Sequence, residues 1–436
     1  MPKIRLFLIL CLLSLLLGCR TQDIQAINAR AEQYAAPLVV SWAAENPSAT
    51  PLPASATPSP SLAPTGLPSA TLLPTRTLIP TVTPTPTDVP TATPLPVAVA
   101  PCISYYDKSN SALKYACLHG SAWDIQTVES VGDVGMYSSL AFDASFTPHI
   151  SYYDKANGAL KYAFLTGNVW KIETVEDGAN LGLFTSLAFE PDGSPMISYF
   201  DQGSGMLKLA RKNGTKWLAQ GLEKIANSNT DQVGGFCTSL AVDPEGSALL
   251  AFFHNLEGNL QLGRRVGANW NFSRVDNSAQ AGQNCALGIG KDGQPAISYF
   301  DAQKGCLKYA RFSGGKWETT TVDCEGEVGN YSSLAFDAAG NPHISYFNED
   351  RDDLKYATWN GSSWSVRTLD ASGSVGVYTS IAINQEGQPM IAYYDLTRGD
   401  LKIAVLAGGV WAYQSVDKNG SVGLYPSLKF EPGFPP

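Results

Sequence analysis

Residues 101 to 432 alternate short apolar runs with turn residues, and the same pattern returns seven times. One copy starts near Tyr137 and contains four segments rich in β-branched and aromatic residues, each bounded by Gly, Pro, Asn or Asp. Segments of this kind predict strands joined by hairpin turns, which we name A to D in chain order. In strand C, Leu160 and Tyr162 alternate with Lys161 and Ala163, as expected for a strand that packs against neighbouring sheets.

A tryptophan opens strand D in every copy and gives the period of the repeat. The interval is 47 residues throughout, except for 53 residues between the third and fourth tryptophans, in the series Trp123, Trp170, Trp217, Trp270, Trp317, Trp364 and Trp411. A fixed period of this length indicates a repeat architecture. We expect these side chains to be wedged between adjacent sheets, in preference to forming a row that stacks on sugars.

The two ends of the repeat array predict a closed ring. The first copy starts at Cys102, already in strand B, and the last copy stops at Phe430 after a lone strand A. Three strands at one end and one at the other complete a single blade, which removes exposed sheet edges. We therefore predict an all-β, seven-bladed β-propeller with four strands per blade, closed by a 3+1 arrangement of the two termini.

Two kinds of resemblance accompany this pattern. The repeat resembles a β-propeller blade in length and strand count. Its Ile-Ser-Tyr-Tyr-Asp and Leu-Lys-Tyr-Ala phrases, as at residues 150–154 and 160–163, resemble repeats of uncharacterised bacterial surface proteins. That resemblance implies a surface location and no particular activity.

The N-terminus predicts export. Lys3 and Arg5 precede an apolar run, residues 6–17, that is short for a membrane span. The run ends in Leu16-Leu17-Gly18-Cys19, which resembles the bacterial lipobox. The resemblance implies that residues 1–18 are a lipoprotein signal peptide and that Cys19 is lipidated, whereas the alternative is an ordinary signal peptide with a chance cysteine. We expect the protein in the cell envelope, held on a membrane by lipid and facing away from the cytoplasm.

A composition change separates this anchor from the repeats. Residues 19–46 form a mature N-terminal segment in which residues 23–45 are a candidate short helix. Residues 47–100 are dominated by Pro, Thr, Ser and Ala, so they cannot bury a core and are expected to be a disordered stalk. At about 3.1 Å per residue, this stalk spans up to roughly 150 Å. The propeller is expected to occupy residues 101–432.

The charge balance argues against nucleic acid as a partner. The formal charge of the chain is −9, and removing the two positive charges of Lys3 and Arg5 makes it −11. A phosphate backbone would be repelled unless a basic patch were concentrated locally, and the lysines are instead spaced through the repeats. We expect a monomer without a cofactor.

Aspartates and lysines recur at fixed positions of the repeat. Strand B ends in Asp107, Asp154, Asp201, His254, Asp301, Asn348 and Asp395, while strand C carries Lys114, Lys161, Lys208, Gln261, Lys308, Lys355 and Lys402. A short hairpin brings the two positions together, which predicts an ion pair or a turn contact within each blade. Exposed pairs of this kind contribute less than about 1 kcal/mol each.

The aromatic residues that open strand A are the first candidates for ligand binding. Strand A is expected to be innermost, so they would lie near the mouth of the central channel: Tyr137, Phe184, Phe236, Tyr331, Tyr378 and Tyr425. Phe236 fits this register less well, because Cys237 takes its aligned place. The alternative is that these rings merely fill the narrow channel.

The repeat loses its symmetry around the fourth and fifth copies. Six extra residues fall in the D–A connection that contains Glu223, Asn229 and Asp231. His254 replaces an aspartate on the same face, and Asn284-Cys285 replaces the aromatic entry. Loops that depart from a repeated scaffold often carry function, so these residues are also candidates, with simple drift as the alternative.

Six cysteines lie in the repeats of a chain expected to be exported, where disulfides form. The predicted pairs are Cys102 with Cys117, Cys306 with Cys324, and Cys237 with Cys285. A metal site made from Cys237, Cys285 and His254 is the weaker alternative, because a fourth ligand is missing.

No catalytic residue stands out, and three functions stay open. The first is a surface binding or adhesion module for an extracellular glycan or protein. The second is a glycan-cleaving hydrolase or lyase on the same face, for which Glu223, Asp231 and Arg274 are the named candidates. The third is a structural component of the envelope.

Overall fold

The computed structural model describes residues 100–230 and 234–431. The predicted signal peptide, the lipidation site Cys19, the segment 19–46, the stalk up to residue 99 and Asp231 lie outside these residues. Within them, no helix is long and apolar enough to cross a membrane.

Seven antiparallel sheets of four strands form the domain, and each sheet is one blade. Blade 1 contains β28 (Val422–Phe430), β1 (Pro101–Asp107), β2 (Ala112–His119) and β3 (Ala122–Glu129); blade 2 contains β4 (Val134–Phe142), β5 (Pro148–Asp154), β6 (Ala159–Thr166) and β7 (Val169–Glu176). Blade 3 contains β8 (Leu181–Phe189), β9 (Pro195–Asp201), β10 (Met206–Asn213) and β11 (Lys216–Lys224); blade 4 contains β12 (Thr238–Val242), β13 (Ala248–His254), β14 (Asn259–Val266) and β15 (Asn269–Asp276).

The remaining three blades have the same order of strands, from the channel outward. Blade 5 contains β16 (Ala281–Ile289), β17 (Pro295–Asp301), β18 (Cys306–Ser313) and β19 (Lys316–Asp323); blade 6 contains β20 (Val328–Phe336), β21 (Pro342–Asn348), β22 (Asp353–Trp359) and β23 (Trp364–Asp370). Blade 7 contains β24 (Val375–Ile383), β25 (Pro389–Asp395), β26 (Asp400–Ala407) and β27 (Val410–Asp417).

The predicted closure is confirmed. Strand β28 pairs with β1, with Phe430 opposite Pro101 and Leu428 opposite Ile103. The last strand of the chain therefore supplies the inner strand of the blade whose other three strands come first. The protein is a seven-bladed β-propeller with a 3+1 closure.

Packing between neighbouring blades explains the regular tryptophans. Each is half-buried, and Trp170 meets Tyr115 of the preceding blade edge to face, with ring centroids 5.2 Å apart. The same contact joins Tyr162 to Trp217 at 5.0 Å and Tyr356 to Trp411 at 5.1 Å. Aromatic pairs of this geometry add to the stability gained from burial. The contacts support the expectation that these side chains are core residues between sheets.

The lysines and aspartates lie deeper than the sequence indicated. In six blades the strand C lysine contacts the carboxylate that ends strand D of the preceding blade, as Lys402 contacts Asp370 at 2.6 Å and its own Asp395 at 3.5 Å. Tyr393 also donates to Asp370, at 2.8 Å. Burial alone would raise the pKa of Asp370, but hydrogen bonds from Lys402, Ser372 and Tyr393 lower it to about 2. The predicted ion pair within one blade is present in five blades. These side chains are buried or half-buried, so the expected exposure is wrong, and the same lysines also tie neighbouring blades together.

The strand B aspartates hold the B–C turns. Oδ1 of Asp107 accepts a hydrogen bond from the backbone N–H of Asn110 at 3.0 Å, and Oδ2 accepts one from its side chain at 2.8 Å. Asp154 and Asn157 repeat this arrangement. A side chain that bonds to the backbone a few residues ahead stabilises a turn. The aspartates at these positions, several fully buried, are parts of the scaffold.

Candidate binding site in the central channel

The inner strands carry an unusual backbone conformation at the channel. Five aromatic residues adopt positive φ between 51° and 56°, followed in each strand by a register shift: Tyr137, Phe184, Tyr331, Tyr378 and Tyr425. The left-handed region is unfavourable for bulky residues and persists only where the surroundings enforce it. The sequence pattern gave strands here and did not predict the bulge.

A glycine two residues earlier allows the bulge to form. Gly135 has φ of +112°, and a Cβ on it would lie 2.8 Å from the backbone Cα of Leu113 in the preceding blade. Any side chain at this position would therefore push the inner strand away from its neighbour. The Val-Gly-x-Tyr sequence is thus a local signal for the close approach of blades next to the channel.

The five rings form one continuous contact series, which we call the aromatic arc. Centroid distances are 4.5 Å from Phe184 to Tyr137, 4.5 Å from Tyr137 to Tyr425, 4.3 Å from Tyr425 to Tyr378 and 4.5 Å from Tyr378 to Tyr331. The arc runs through blades 3, 2, 1, 7 and 6 in that order. Burial raises the pKa of Tyr378 and Tyr331 well above the ordinary tyrosine value, and their hydroxyls hydrogen-bond to each other.

Blades 4 and 5 break this series, and we call their part of the channel the open sector. Cys237 and Asn284 occupy the positions that hold rings elsewhere, and Cys285 follows Asn284. The predicted disulfide between Cys237 and Cys285 is present and crosses from blade 4 to blade 5. Asn284 keeps the left-handed backbone, with φ of 50°. At the two positions that hold rings elsewhere, the channel wall in this sector therefore carries small or polar side chains, and Phe236 is its only ring among the described lining residues.

A relay of side chains begins at Asn284. Its Nδ2 donates to Oδ1 of Asn330 in blade 6 at 2.9 Å, and Nδ2 of Asn330 donates to Glu349 at 2.6 Å. Asn330 is 2% exposed, so both of its polar atoms must find partners inside the protein. The amide of Asn284 is consequently held in one orientation at the channel wall.

The channel holds a cavity of about 200 Å³. It is lined by the aromatic arc, the open sector and the residues that follow them on the inner strands: Tyr137, Ser138, Phe184, Thr185, Phe236, Cys237, Thr238, Asn284, Cys285, Tyr331, Ser332, Tyr378, Thr379, Tyr425 and Pro426. Among the described residues that line it, none carries a formal charge. Aromatic rings, hydroxyls, one amide, one disulfide and one proline therefore make up its wall.

The inner-strand residues that line the cavity form a ring around the channel, which we call the collar. Hydroxyl residues beside the aromatic rings hold the inner strands of neighbouring blades together there. Thr185 donates to the backbone carbonyl of Tyr137 in the preceding blade at 2.8 Å and lies 2.7 Å from the hydroxyl of Ser151. Where the inner strand has no hydroxyl, at Cys285 and Pro426, the corresponding strand B residues of the preceding blades are also non-polar: Ala251 and Ala392. The matched loss indicates that these hydroxyls mainly serve packing between blades.

The other predicted candidates lie elsewhere. Phe236 is 2% exposed and stacks on Phe200 at 4.6 Å, one position before the aligned site, although it reaches the cavity lining. His254 is buried, and its Nδ1 accepts a hydrogen bond from the backbone N–H of Glu257 in the B–C turn. Glu223 belongs to β11, so its expected placement in the D–A connection is wrong.

The long connection after β11 folds back onto its own blade. The backbone N–H of Asn229 donates to the carbonyl of Gln202 at 2.8 Å, and Ile225 and Ala226 are fully buried. Arg274, named for the enzyme hypothesis, pairs with Glu257 at 2.9 Å on the outer part of blade 4. The structure therefore brings the aromatic candidates together at the channel and leaves Glu223, Asn229, His254 and Arg274 outside its lining.

All three predicted disulfides are confirmed. Cys102 bonds to Cys117 and Cys306 bonds to Cys324, in addition to the bond between Cys237 and Cys285. The alternative metal site loses both cysteine thiolates to that last bond. Within the described residues, no group of three or more His, Cys, Asp or Glu side chains is placed to hold a metal ion.

Sequence reasoning missed Asn330 and Glu349. The signal for Asn330 lies in the column that precedes the aromatic residue, which reads Met136, Leu183, Phe236, Gln283, Asn330, Val377 and Leu424. Two amides in an otherwise apolar column mark a polar part of the collar. Glu349 has no comparable signal, because it lies in a turn where acidic residues are common.

Comparison with known proteins shows the fold and no family. No protein-family model and no curated protein matches the chain. A solved protein from Lactobacillus plantarum superposes with a TM-score of 0.55 at 8% identity, covering 76% of this chain and 99% of that one. A candidate 6-phosphogluconolactonase from Bacteroides fragilis gives 0.52 at 13% identity, covering 76% and 97%. At these identities the likeness is one of propeller architecture alone.

Proposed function

We propose that the protein is a lipid-anchored surface protein whose propeller is a binding or adhesion module for an extracellular glycan or protein. The observation that carries this proposal is the channel cavity, where the aromatic arc is interrupted by the open sector and Asn284 presents a fixed amide. The export-type N-terminus, the Pro/Thr stalk and the disulfides support a position outside the cytoplasm.

The conformation of the collar supports a binding role. Positive φ at non-glycine residues costs on the order of 1 to 3 kcal/mol each and concentrates at ligand sites. Six inner strands carry this cost at one level of the channel, five at aromatic residues and one at Asn284. A channel that only needed filling could use apolar side chains on a regular strand. The bulges direct the rings and the amide of Asn284 toward the channel cavity.

A screen of the chain from residue 20 onward tests the binding proposal. The protein is exported to an oxidising compartment so that the disulfides form, labelled, and applied to glycan and extracellular-protein arrays. We expect a reproducible set of partners that loses signal with Asn284→Leu. The matched control is Asn271→Leu on the exposed outer strand of blade 4. Silence across both arrays would overturn the proposal.

Cell fractionation tests the anchor separately. We expect the full chain to partition with membranes and to incorporate a labelled fatty acid, and Cys19→Ala to lose both. Cys11→Ala is the matched control, because Cys11 lies inside the apolar run of the predicted signal. Membrane association that persists in Cys19→Ala would remove the lipid anchor from the proposal and leave the binding module to be judged on its own.

A further inference from the structure

The relay behind Asn284 has only one consistent direction. An ionised carboxylate accepts hydrogen bonds and cannot donate, so the atom of Asn330 that lies 2.6 Å from Glu349 must be the amide nitrogen. The other polar atom of Asn330 is then its carbonyl oxygen, which requires a donor. That donor is Nδ2 of Asn284, at 2.9 Å. Glu349 therefore sets the orientation of the Asn284 amide through Asn330.

This direction leaves an acceptor for a ligand. One N–H of the Asn284 amide is committed to Asn330, which fixes the position of Oδ1, and no described protein group hydrogen-bonds to that oxygen. The second N–H of the same nitrogen lies beside it. Asn284 lines the cavity in the open sector. A fixed acceptor next to one remaining donor favours ligands whose groups both donate and accept, as hydroxyl groups do.

The volume and the lining of the cavity indicate which kind of ligand group fits inside it. A cavity of about 150 Å³ accommodates a benzene ring, whereas pockets for drug-sized ligands start near about 300 Å³. The channel cavity, at about 200 Å³, therefore has room for one six-membered ring. Its described lining is uncharged, so an ionised ligand would lose its hydration without gaining a counter-charge.

We propose that the cavity binds one neutral, polyhydroxylated six-membered ring, such as the terminal pyranose of a glycan, with a ligand hydroxyl donating to Oδ1 of Asn284. The proposal rests on the proposed binding function and narrows its partner to a glycan. The aromatic arc provides apolar contact for the C–H groups of the ring. Glu349 is a positioning residue that acts through Asn330 without entering the cavity.

Ligand-observed saturation-transfer NMR on the chain from residue 20 onward tests the proposal. The probes are the methyl pyranosides of glucose, galactose, mannose and fucose, each with its monodeoxy analogues. We expect at least one parent sugar to bind. One of its deoxy analogues should bind about ten-fold more weakly, because the missing hydroxyl leaves Oδ1 of Asn284 unpaired. Binding of none of the parent sugars would overturn the proposal.

Two variants connect this preference to the relay. In Asn284→Leu we expect the parent sugar to lose about ten-fold in affinity and the difference between parent and deoxy sugar to vanish. In Glu349→Gln the relay can run in either direction, so the same difference should shrink by a few-fold. Thermal unfolding identifies any variant that does not fold, and Glu349→Gln decides the question if Asn284→Leu fails that check.

A control variant and the array screen show whether the sugar proposal or the whole binding proposal has failed. Asn271→Leu makes the same chemical change on an exposed strand and should leave both affinities unchanged. A parent-to-deoxy difference that stays constant in both variants would overturn the assigned role of Asn284 and Glu349. If the arrays reveal a partner while every pyranoside fails, this inference is wrong and the binding module stands. A last experiment separates a terminal sugar of a glycan from a free sugar. A polysaccharide that binds is treated with an enzyme that removes its terminal residues, and we expect binding to be lost.

Discussion

The aromatic arc and the open sector occupy the same level of the same ring, yet they hold the channel together by different means. In the arc, successive blades meet through ring contacts of 4.3 to 4.5 Å. In the open sector, a disulfide joins blade 4 to blade 5 and an amide relay joins blade 5 to blade 6. A repeated scaffold can therefore lose bulky side chains at a site if covalent and polar links replace the lost packing.

Removing one ring from the arc should have the largest effect. Tyr378 is 9% exposed and contacts both Tyr331 and Tyr425. Replacing a buried aromatic residue by alanine leaves a cavity, so we expect Tyr378→Ala to lower the free energy of unfolding by about 4 kcal/mol. Guanidinium denaturation of the chain from residue 20 onward measures it. Asn284→Ala, which removes hydrogen bonds instead of a ring, should cost about 1 kcal/mol. Equal losses would contradict the distinction between the two regions.

The disulfide of the open sector should rank next. Converting Cys237 and Cys285 to serine together should lower the free energy of unfolding by about 3 kcal/mol. The bond between Cys102 and Cys117 offers the comparison, because it spans 15 residues within one sheet instead of 48 between two. Loop-closure entropy predicts that the longer span is worth about 1 kcal/mol more. The reverse ranking in denaturation experiments would show that the open sector does not depend on its covalent link.

The charge network between blades provides a third test. Asp276 accepts hydrogen bonds from Tyr299 and Lys308. Burial alone would raise the pKa of Asp276, but these hydrogen bonds outweigh burial and lower the pKa to about 2. Because the folded pKa lies below the ordinary 3.8, this stabilisation is complete above pH 3.8 and is lost as the pH falls through about 2. We expect Asp276→Asn to be about 2 kcal/mol less stable than the parent at pH 7. The difference should disappear in strong acid.

Glu223→Gln is the control for that network. Glu223 pairs with Leu207 in the register that Asp276 has with Leu260, but blade 4 offers Phe252 and Gln261 where other blades have tyrosine and lysine. We expect a change below about 0.5 kcal/mol at pH 7. A loss as large as that of Asp276→Asn would mean that blade 4 keeps an equivalent tie.

The smallest effect concerns two histidines in blades of the arc. Burial lowers the pKa of His343 below 6.5 despite Asp337 nearby, and His149 behaves in the same way beside Asp143. Above pH 6.5 both imidazoles are neutral and the stability of the fold is not reduced by their burial. As the pH falls through the folded pKa they must be protonated inside the protein, and the free energy of unfolding decreases. His343→Gln should therefore reduce the loss of stability between pH 7 and pH 5, by less than about 1 kcal/mol.

The sequence specified the ring more fully than its site. The tryptophan spacing and the half-copies at Cys102 and Phe430 determined seven blades and their closure, because strand count and edge pairing follow from local pattern. The cysteine pairs followed from strand register. The left-handed tyrosines did not, since a bulge depends on how closely Gly135 meets Leu113 in another blade.

The relay in the open sector was equally inaccessible to the sequence pattern. Asn284 and Asn330 are 46 residues apart and Asn330 and Glu349 are 19 apart, and their contacts need the exact height of two blades. The register of Phe236 is a related case. The insertion before it shifts the ring by one position, so that it packs on Phe200 while Cys237 takes the aligned place.

Ring closure also determines how the domain would carry load. The backbone N–H of Glu431 donates to the carbonyl of Ala100 at 2.8 Å, so the chain enters and leaves the domain at one point. A pull on the chain ahead of residue 100 reaches Cys102 within two residues and passes through the bond to Cys117 into β2. Force applied along a tether would thus bypass the hydrogen bonds of β1, and the first strand could not be peeled away without breaking a covalent bond.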